Sequence, residues 1–315
     1  VAVNHAAGVV VVTGASAGVG RATAVAFGRA GWSVGLLARG EDGLDAAAAE
    51  IDRAVAVPTD VADADAVEAA AERVEAELGP IDAWVNNAMT TVFAWSWDVG
   101  ADEFRRATEV TYLGQVNGTM AALRRMRPRD RGVVCNVGSA LAHRAIPLQA
   151  AYCGAKFAVR GFTEAVRCEL RHEGSRVRLT EVHLPAVDTP QFTWCLNRLP
   201  KRPRPVPPVY APEVAAERIV LAVTDPRRDR VLGGFNRFLI AANKVSPRLV
   251  DRYVARAAVD AQQTDEPAGD DPVDLWRPVP GDHGARGPFE RLEGGMRNPR
   301  WLASVPKMVA DLVRG

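Results

Sequence analysis

The sequence predicts an α/β protein: a doubly wound, parallel seven-stranded sheet with helices on both faces, followed by a C-terminal extension. Two observations carry this. Over the first 235 residues, short Val/Leu-rich runs alternate with longer Ala-rich amphipathic stretches, the pattern of β-α units that bury a parallel sheet on both sides. After Gly234 the alternation stops, and a Gly-, Pro- and Asp-rich stretch without periodicity follows. The expected division is therefore residues 1–235, one β-α domain, and residues 236–315, a helical and loop-rich extension.

The strands are expected at Val9–Thr13, Ser33–Leu37, Val55–Thr59, Ala83–Asn86, Gly132–Val137, Arg178–His183 and Arg230–Leu232. Each is a short apolar run of the length a buried strand needs. Between them, helices are expected at Val19–Ala30, Gly43–Arg53, Ala64–Leu78, Ala101–Arg127, Tyr152–His172 and Pro212–Val223, several opening on an acid or Pro and closing near Gly. Phe235–Ala258 reads as helical with a break at Pro247, and Thr264–Arg300 as an appended tail. Sheets of this kind bind ligands at the carboxyl ends of their strands.

Composition narrows the ligand. Thirty-nine Lys and Arg against 38 Asp and Glu leave a formal charge of +1, so nothing global points to nucleic acid or an anionic membrane. No apolar run reaches spanning length and no secretory leader is visible. Cys135, Cys153, Cys168 and Cys195 show no CxxC spacing and the five histidines no ligand spacing. Reduced thiols in a cytoplasmic protein, with no metal, are expected. His283, in "GDHG", reads as a polar loop residue.

The motifs lie at strand ends. The first strand runs into "TGASAGVGRATA", whose Gly14, Gly18 and Gly20 let the backbone turn sharply and approach a pyrophosphate at the N-terminus of the following helix. The second strand ends in Ala38-Arg39. An acid there would accept from both ribose hydroxyls of NAD, whereas a guanidinium can fork onto a 2′-phosphate, so NADP(H) is favoured over NAD(H). Asp60, in "PTDVAD", either holds an adenine amino group or caps the next helix.

Ser139 ends the fifth strand in "CNVGSA", and Tyr152 opens the next long helix in "YCGAK". Strand end and helix start bring a hydroxyl and a phenol to one rim. The phenol can donate a proton to a carbonyl oxygen while hydride arrives, and the Ser hydroxyl can hold that oxygen. Lys156, one helical turn on, shares the face of Tyr152 and favours its phenolate by direct charge.

In order and spacing, "TGASAGVG", "NNA" at Asn86–Ala88, Ser139, "YCGAK" and "PAVDTP" resemble the short-chain dehydrogenase/reductase family over about residues 8 to 235. The resemblance implies a Rossmann-type fold and a nicotinamide cofactor. Tyr152 is then the general acid/base, Ser139 the substrate-oxygen partner, and Lys156 a ligand of the nicotinamide ribose. Ser16 and Val19 of the glycine loop, Val61 beside Asp60, and Asn87 become cofactor contacts. So do Thr189 at the carboxamide and the main chain near Pro185 and Val187.

Three positions depart from the family pattern. Thr111 stands where the family usually has an Asn completing a proton relay, Met89 where "NNAG" has Gly, and Ala186 where Pro-Gly is usual. Thr111 is expected to keep the relay through its main-chain carbonyl, with its hydroxyl bonding back one turn and loosening the helix. The loop after Thr189 is expected to face a small-molecule carbonyl or alcohol substrate. Its Phe192 and Trp194 suit an apolar ligand or a lid packing on its own protein, and Trp95 is expected on the opposite wall. Lys201, Arg202 and Arg204 read as a solvated run.

The chain is thus expected to be an NADP-preferring carbonyl reductase or secondary-alcohol dehydrogenase. The rival reading is a catalytically silent NAD(P)-binding sensor or scaffold, which would not need Ser139, Tyr152 and Lys156 together. The family resemblance further implies a homodimer or higher homo-oligomer, packed through Ala101–Arg127 and Tyr152–His172.

Overall fold

Seven parallel strands form the central sheet of the computed structural model, which describes residues 8–299. They are β1 (Val9–Thr13), β2 (Ser33–Ala38), β3 (Ala54–Pro58), β4 (Ile81–Asn86), β5 (Val133–Ser139), β6 (Arg178–Leu184) and β7 (Asp229–Val231), ordered β7-β6-β5-β4-β1-β2-β3. The seven expected strands are all present, and β1, β2 and β6 are buried along almost their whole length. Residues buried on both faces have to be apolar throughout, which is why these strands read as continuous Val/Leu runs.

Helices α1 (Gly18–Arg29), α2 (Glu41–Ala48) and α3 (Ala64–Leu78) follow the first three strands. After β4 come α4 (Ala101–Thr108) and α5 (Gly114–Met126), then α6 (Ala150–His172) after β5 and α7 (Pro212–Thr224) after β6. One core packs α1, α2 and α7 on the sheet through Phe27, Leu44 and Ile219; the other packs α3, α5 and α6 through Val74, Met126 and Leu170. The continuous helix expected over Ala101–Arg127 is interrupted by a π turn at Glu109–Leu113. Thr111 lies inside that turn.

The expected break at Pro247 separates α8 (Gly234–Val245) from α9 (Pro247–Ala261), because proline suits a first helical turn and not an interior. Beyond α9 the chain does not trail away. Gln263–Pro267 pairs antiparallel with Lys201–Pro203, and residues 274–289 then run back over the carboxyl ends of the strands. Leu275 there is fully buried.

Candidate active site

The strand order reverses between β1 and β4, and the cleft opens there, as expected for a doubly wound sheet. The Thr13 hydroxyl joins the two edges by accepting from the amides of Asn87 (2.9 Å) and Ala88 (3.1 Å). Gly14 and Gly18 both have positive φ, and a Cβ on Gly14 would lie 2.9 Å from the Cα of Ala88. The first turn of α1 holds no acid, and its N-cap, Ala17, has no side-chain acceptor. That combination of close backbone and helix N-terminus fits a bound pyrophosphate.

Gly14, Ser16, Gly18 and Val19 line the cleft, followed around the wall by Arg39, Asp60, Val61 and Asn87. Asn117 steadies Val61 by donating to its carbonyl at 2.9 Å. Gly20 does not line the cleft. A Cβ there would meet the Gly14 carbonyl oxygen at 2.0 Å, so its smallness lets α1 pack directly on the loop. Asp60 does not cap α3. Its carboxylate accepts from the Ala62 amide and pairs with Arg106, while the cap is Asp63, accepting from the amides of Asp65 and Ala66.

At the other end, Ser139, Tyr152 and Lys156 meet on one rim, with Pro185, Val187 and Thr189 opposite. The Ser139 side chain lies beside the Tyr152 hydroxyl, and its Oγ accepts from the Leu141 amide at 3.1 Å. Leu148 enters α6 with φ of +69° while almost fully buried, a conformation that costs a β-carbon residue about 1–3 kcal/mol. Burial against Phe93 and the bond from the Ala94 amide to its carbonyl hold it there.

Burial pushes the Tyr152 phenol up, against an opposing pull from the Ser139 side chain. The Lys156 ammonium makes its hydrogen bond elsewhere than at the phenol oxygen. It donates to the Val137 carbonyl at 2.7 Å and stands 5.6 Å from the Tyr152 ring centre. Burial lowers it to about 8, opposed by the charge of Glu181. The phenol is therefore raised and not lowered as expected, because desolvation is the largest influence on both groups.

Thr111 is fully buried behind the cleft wall and does not line it. Its hydroxyl does not bond back one turn; it donates to the Thr90 carbonyl and accepts from the Thr90 amide. Trp95 is likewise outside the cleft. It is partly exposed and stacked on Trp97, ring centres 5.2 Å apart, a ring-on-ring contact that holds it away from the wall. Phe192 and Trp194 do line the cleft, and Phe192 also packs with Phe93 and Phe289.

Two features were not legible in the motifs. Asp274 of the C-terminal segment lines the cleft, its carboxyl pushed up to about 6 by burial against the pull of Arg39. Behind Ser139, Glu181 and His183 face each other at 3.5 Å with no hydrogen-bond partner for either carboxylate oxygen or for His183 Nδ1. Burial raises Glu181 to about 7 and lowers His183 to about 3. With Asp229 they form the one metal-like grouping among the described residues, but Asp229 is already ion-paired with Arg167 at 2.9 Å.

Residues 8–195 match the family described as short chain dehydrogenase. The chain belongs to that family. As a short-chain dehydrogenase it is of an oxidoreductase family that binds nicotinamide cofactors. It is 33% identical over 266 residues to the oxidoreductase YxnA of Bacillus subtilis (strain 168), covering 82% of this chain and 75% of that one. To the 3-ketodihydrosphingosine reductase of Bos taurus it is 31% identical over 239 residues, covering 72% and 69%. Among solved structures it resembles the alcohol dehydrogenase from the archaeon Thermococcus sibiricus complexed with 5-hydroxy-NADP. That likeness has a TM-score of 0.59 at 27% identity and covers 72% of this chain and 95% of the other. Among the described residues, no helix of this short-chain dehydrogenase is long and apolar enough to cross a membrane.

Proposed function

We infer that the protein is a cytoplasmic, NADP(H)-dependent reductase of hydrophobic ketones, or dehydrogenase of the matching secondary alcohols. The observation that carries this is the convergence of Ser139, Tyr152 and Lys156, one turn on from the phenol, on the rim of the same cleft as the glycine loop. The cofactor, when bound, supplies or accepts the hydride.

The chain's own residues do the rest. Tyr152 gives its proton to the carbonyl oxygen in reduction and takes it back in oxidation, and Ser139 holds that oxygen within reach. Lys156, buried and cationic at neutral pH, holds the ribose and steadies the phenolate that proton transfer leaves. Gly14, Ser16, Gly18 and Val19 hold the pyrophosphate; Asp60, Val61 and Asn87 hold the adenosine half; Pro185, Val187 and Thr189 orient the nicotinamide. Thr111 takes part through its main-chain carbonyl alone, since its hydroxyl is committed to Thr90.

Preference for NADP rests on Arg39 following Ala38 at the end of β2, with no acid at that strand end, and agrees with the NADP analogue in the Thermococcus enzyme. An apolar ketone agrees with Phe192 and Trp194 on the wall and with the reductase activity named for the bovine relative. Subunits pair as homodimers through α4–α5 and α6, where Leu113 and Phe157 are exposed and a Cβ on Gly154 or Gly161 would meet nothing. The test is a panel of ketones and secondary alcohols, including long-chain ones, followed by cofactor absorbance. Turnover with NADPH or NADP+ is expected. Cofactor binding without turnover across the panel would instead make the protein a nucleotide sensor.

A further inference from the structure

The segment after residue 267 crosses the cleft and takes hold of it at both ends. Beside β2, the Arg39 guanidinium donates through Nη1 to the Leu275 carbonyl at 3.4 Å and through Nη2 to the Asp274 carbonyl. Arg106 Nε donates to the same Leu275 carbonyl at 3.1 Å. The Leu275 side chain, buried against Val92 and Ala94, fixes those two carbonyls in place. At the glycine loop, Asp282 pairs with Arg21, and the Gly18 amide donates to the Gly284 carbonyl at 3.0 Å. Between the two, the Gly281 amide donates to Asp42.

Gly18 and Arg39 answer to different parts of a dinucleotide. An amide at a helix N-terminus serves the pyrophosphate that every such cofactor carries. A guanidinium fork serves a 2′-phosphate, which only the phosphorylated form carries. A guanidinium turned onto two backbone carbonyls cannot present the same fork to a phosphate, and the buried Asp274 carboxylate beside it adds negative charge where the phosphate would come.

We propose that residues 274–284 form a strap that competes with the cofactor for these donors, and that its hold on Arg39 through Asp274 and Leu275 sets the discrimination between NADP(H) and NAD(H). NADP(H) has to take Arg39 from the strap and gains the fork when it does; NAD(H) has nothing for Arg39 to bind. This rests on the dinucleotide reading above.

The two anchors can be loosened separately in the full-length protein, with dissociation constants for NADP+ and NAD+ measured by calorimetry. Leu275→Gly frees the carbonyls at Arg39, and NADP+ affinity is expected to rise about tenfold while NAD+ affinity stays within about twofold. Asp282→Ala frees the end at the glycine loop, where both affinities are expected to rise by the same factor. Hydrogen exchange of the wild-type chain gives a second reading that needs no variant. NADP+ is expected to speed exchange of the Asp274 amide, which donates to the Trp194 carbonyl, whereas NAD+ does not.

Equal changes for both nucleotides in Leu275→Gly overturn the proposal. So does slowed exchange at Asp274 with NADP+, which would make the strap a clasp over bound cofactor. If neither nucleotide binds the wild type or either variant, the dinucleotide reading itself falls, and the strap proposal with it.

Discussion

Thr111 and Thr90 hold each other through two hydrogen bonds, the Thr111 hydroxyl donating to the Thr90 carbonyl at 2.9 Å and accepting from the Thr90 amide at 3.0 Å. Both residues are almost fully buried. One hydroxyl therefore satisfies both a donor and an acceptor of the buried loop after β4. Thr111→Ala strands both, and a loss of about 1–3 kcal/mol in stability is expected from urea melts. Turnover should stay within about tenfold, a barrier change of roughly 1.4 kcal/mol, because only the main-chain carbonyl is assigned to the relay. Stability unchanged in the Ala variant would remove this account of Thr111.

Tyr152→Phe keeps the ring and removes the oxygen beside Ser139. Turnover should fall by on the order of 10²–10⁴, the contribution of a placed proton donor, while the dissociation constant for NADPH changes little. Lys156→Ala should impair both, since the same ammonium is assigned to ribose and phenolate. Steady-state rates and calorimetric titration of both variants separate the two effects; a Phe variant with most of its activity would exclude Tyr152 as the donor.

Glu181 gives a pH signature. Burial raises its carboxyl from 4.5 to about 7 in the folded chain, so the fold prefers the protonated acid. The cost of carrying the charge is then full above about pH 7 and disappears as pH falls through 7 towards 4.5. Glu181→Gln should stabilise the protein by about 1–3 kcal/mol at pH 8 and by almost nothing at pH 4.5. Melts of both proteins across that range decide it. An equal effect at both ends would mean that the change is one of packing.

The assembly proposal is tested at Phe157, which is 44% exposed on α6, with the open positions Gly154 and Gly161 on either side of it in the helix. Phe157→Glu puts a charge at the centre of the proposed two-fold contact and should shift the protein from dimer to monomer in light scattering, with the circular dichroism of the monomer retained. A wild-type monomer at tens of micromolar would leave this face without the assigned role.

What could be read directly from the sequence is what local chemistry dictates. Continuous Val/Leu runs mark β1 and β2 because strands buried on both faces tolerate nothing else, and the glycines of "TGASAGVG" mark the loop because Gly14 and Gly18 adopt φ values that other residues avoid. The Ser139, Tyr152 and Lys156 set was legible for a similar reason: a strand end and one helical turn carry the three side chains to the same rim regardless of the rest of the chain. Tertiary packing decided the remainder. Only the register of β4 beside α5 shows that the Thr111 hydroxyl is taken by Thr90, and only the stacking of Trp95 on Trp97 takes Trp95 off the cleft wall. The aperiodic stretch around Leu275 carries no helix or strand repeat to announce its place. Its position depends on contacts with Arg39, Arg106 and Gly18, more than 160 residues earlier in the chain, and such pairings leave no local pattern in the sequence.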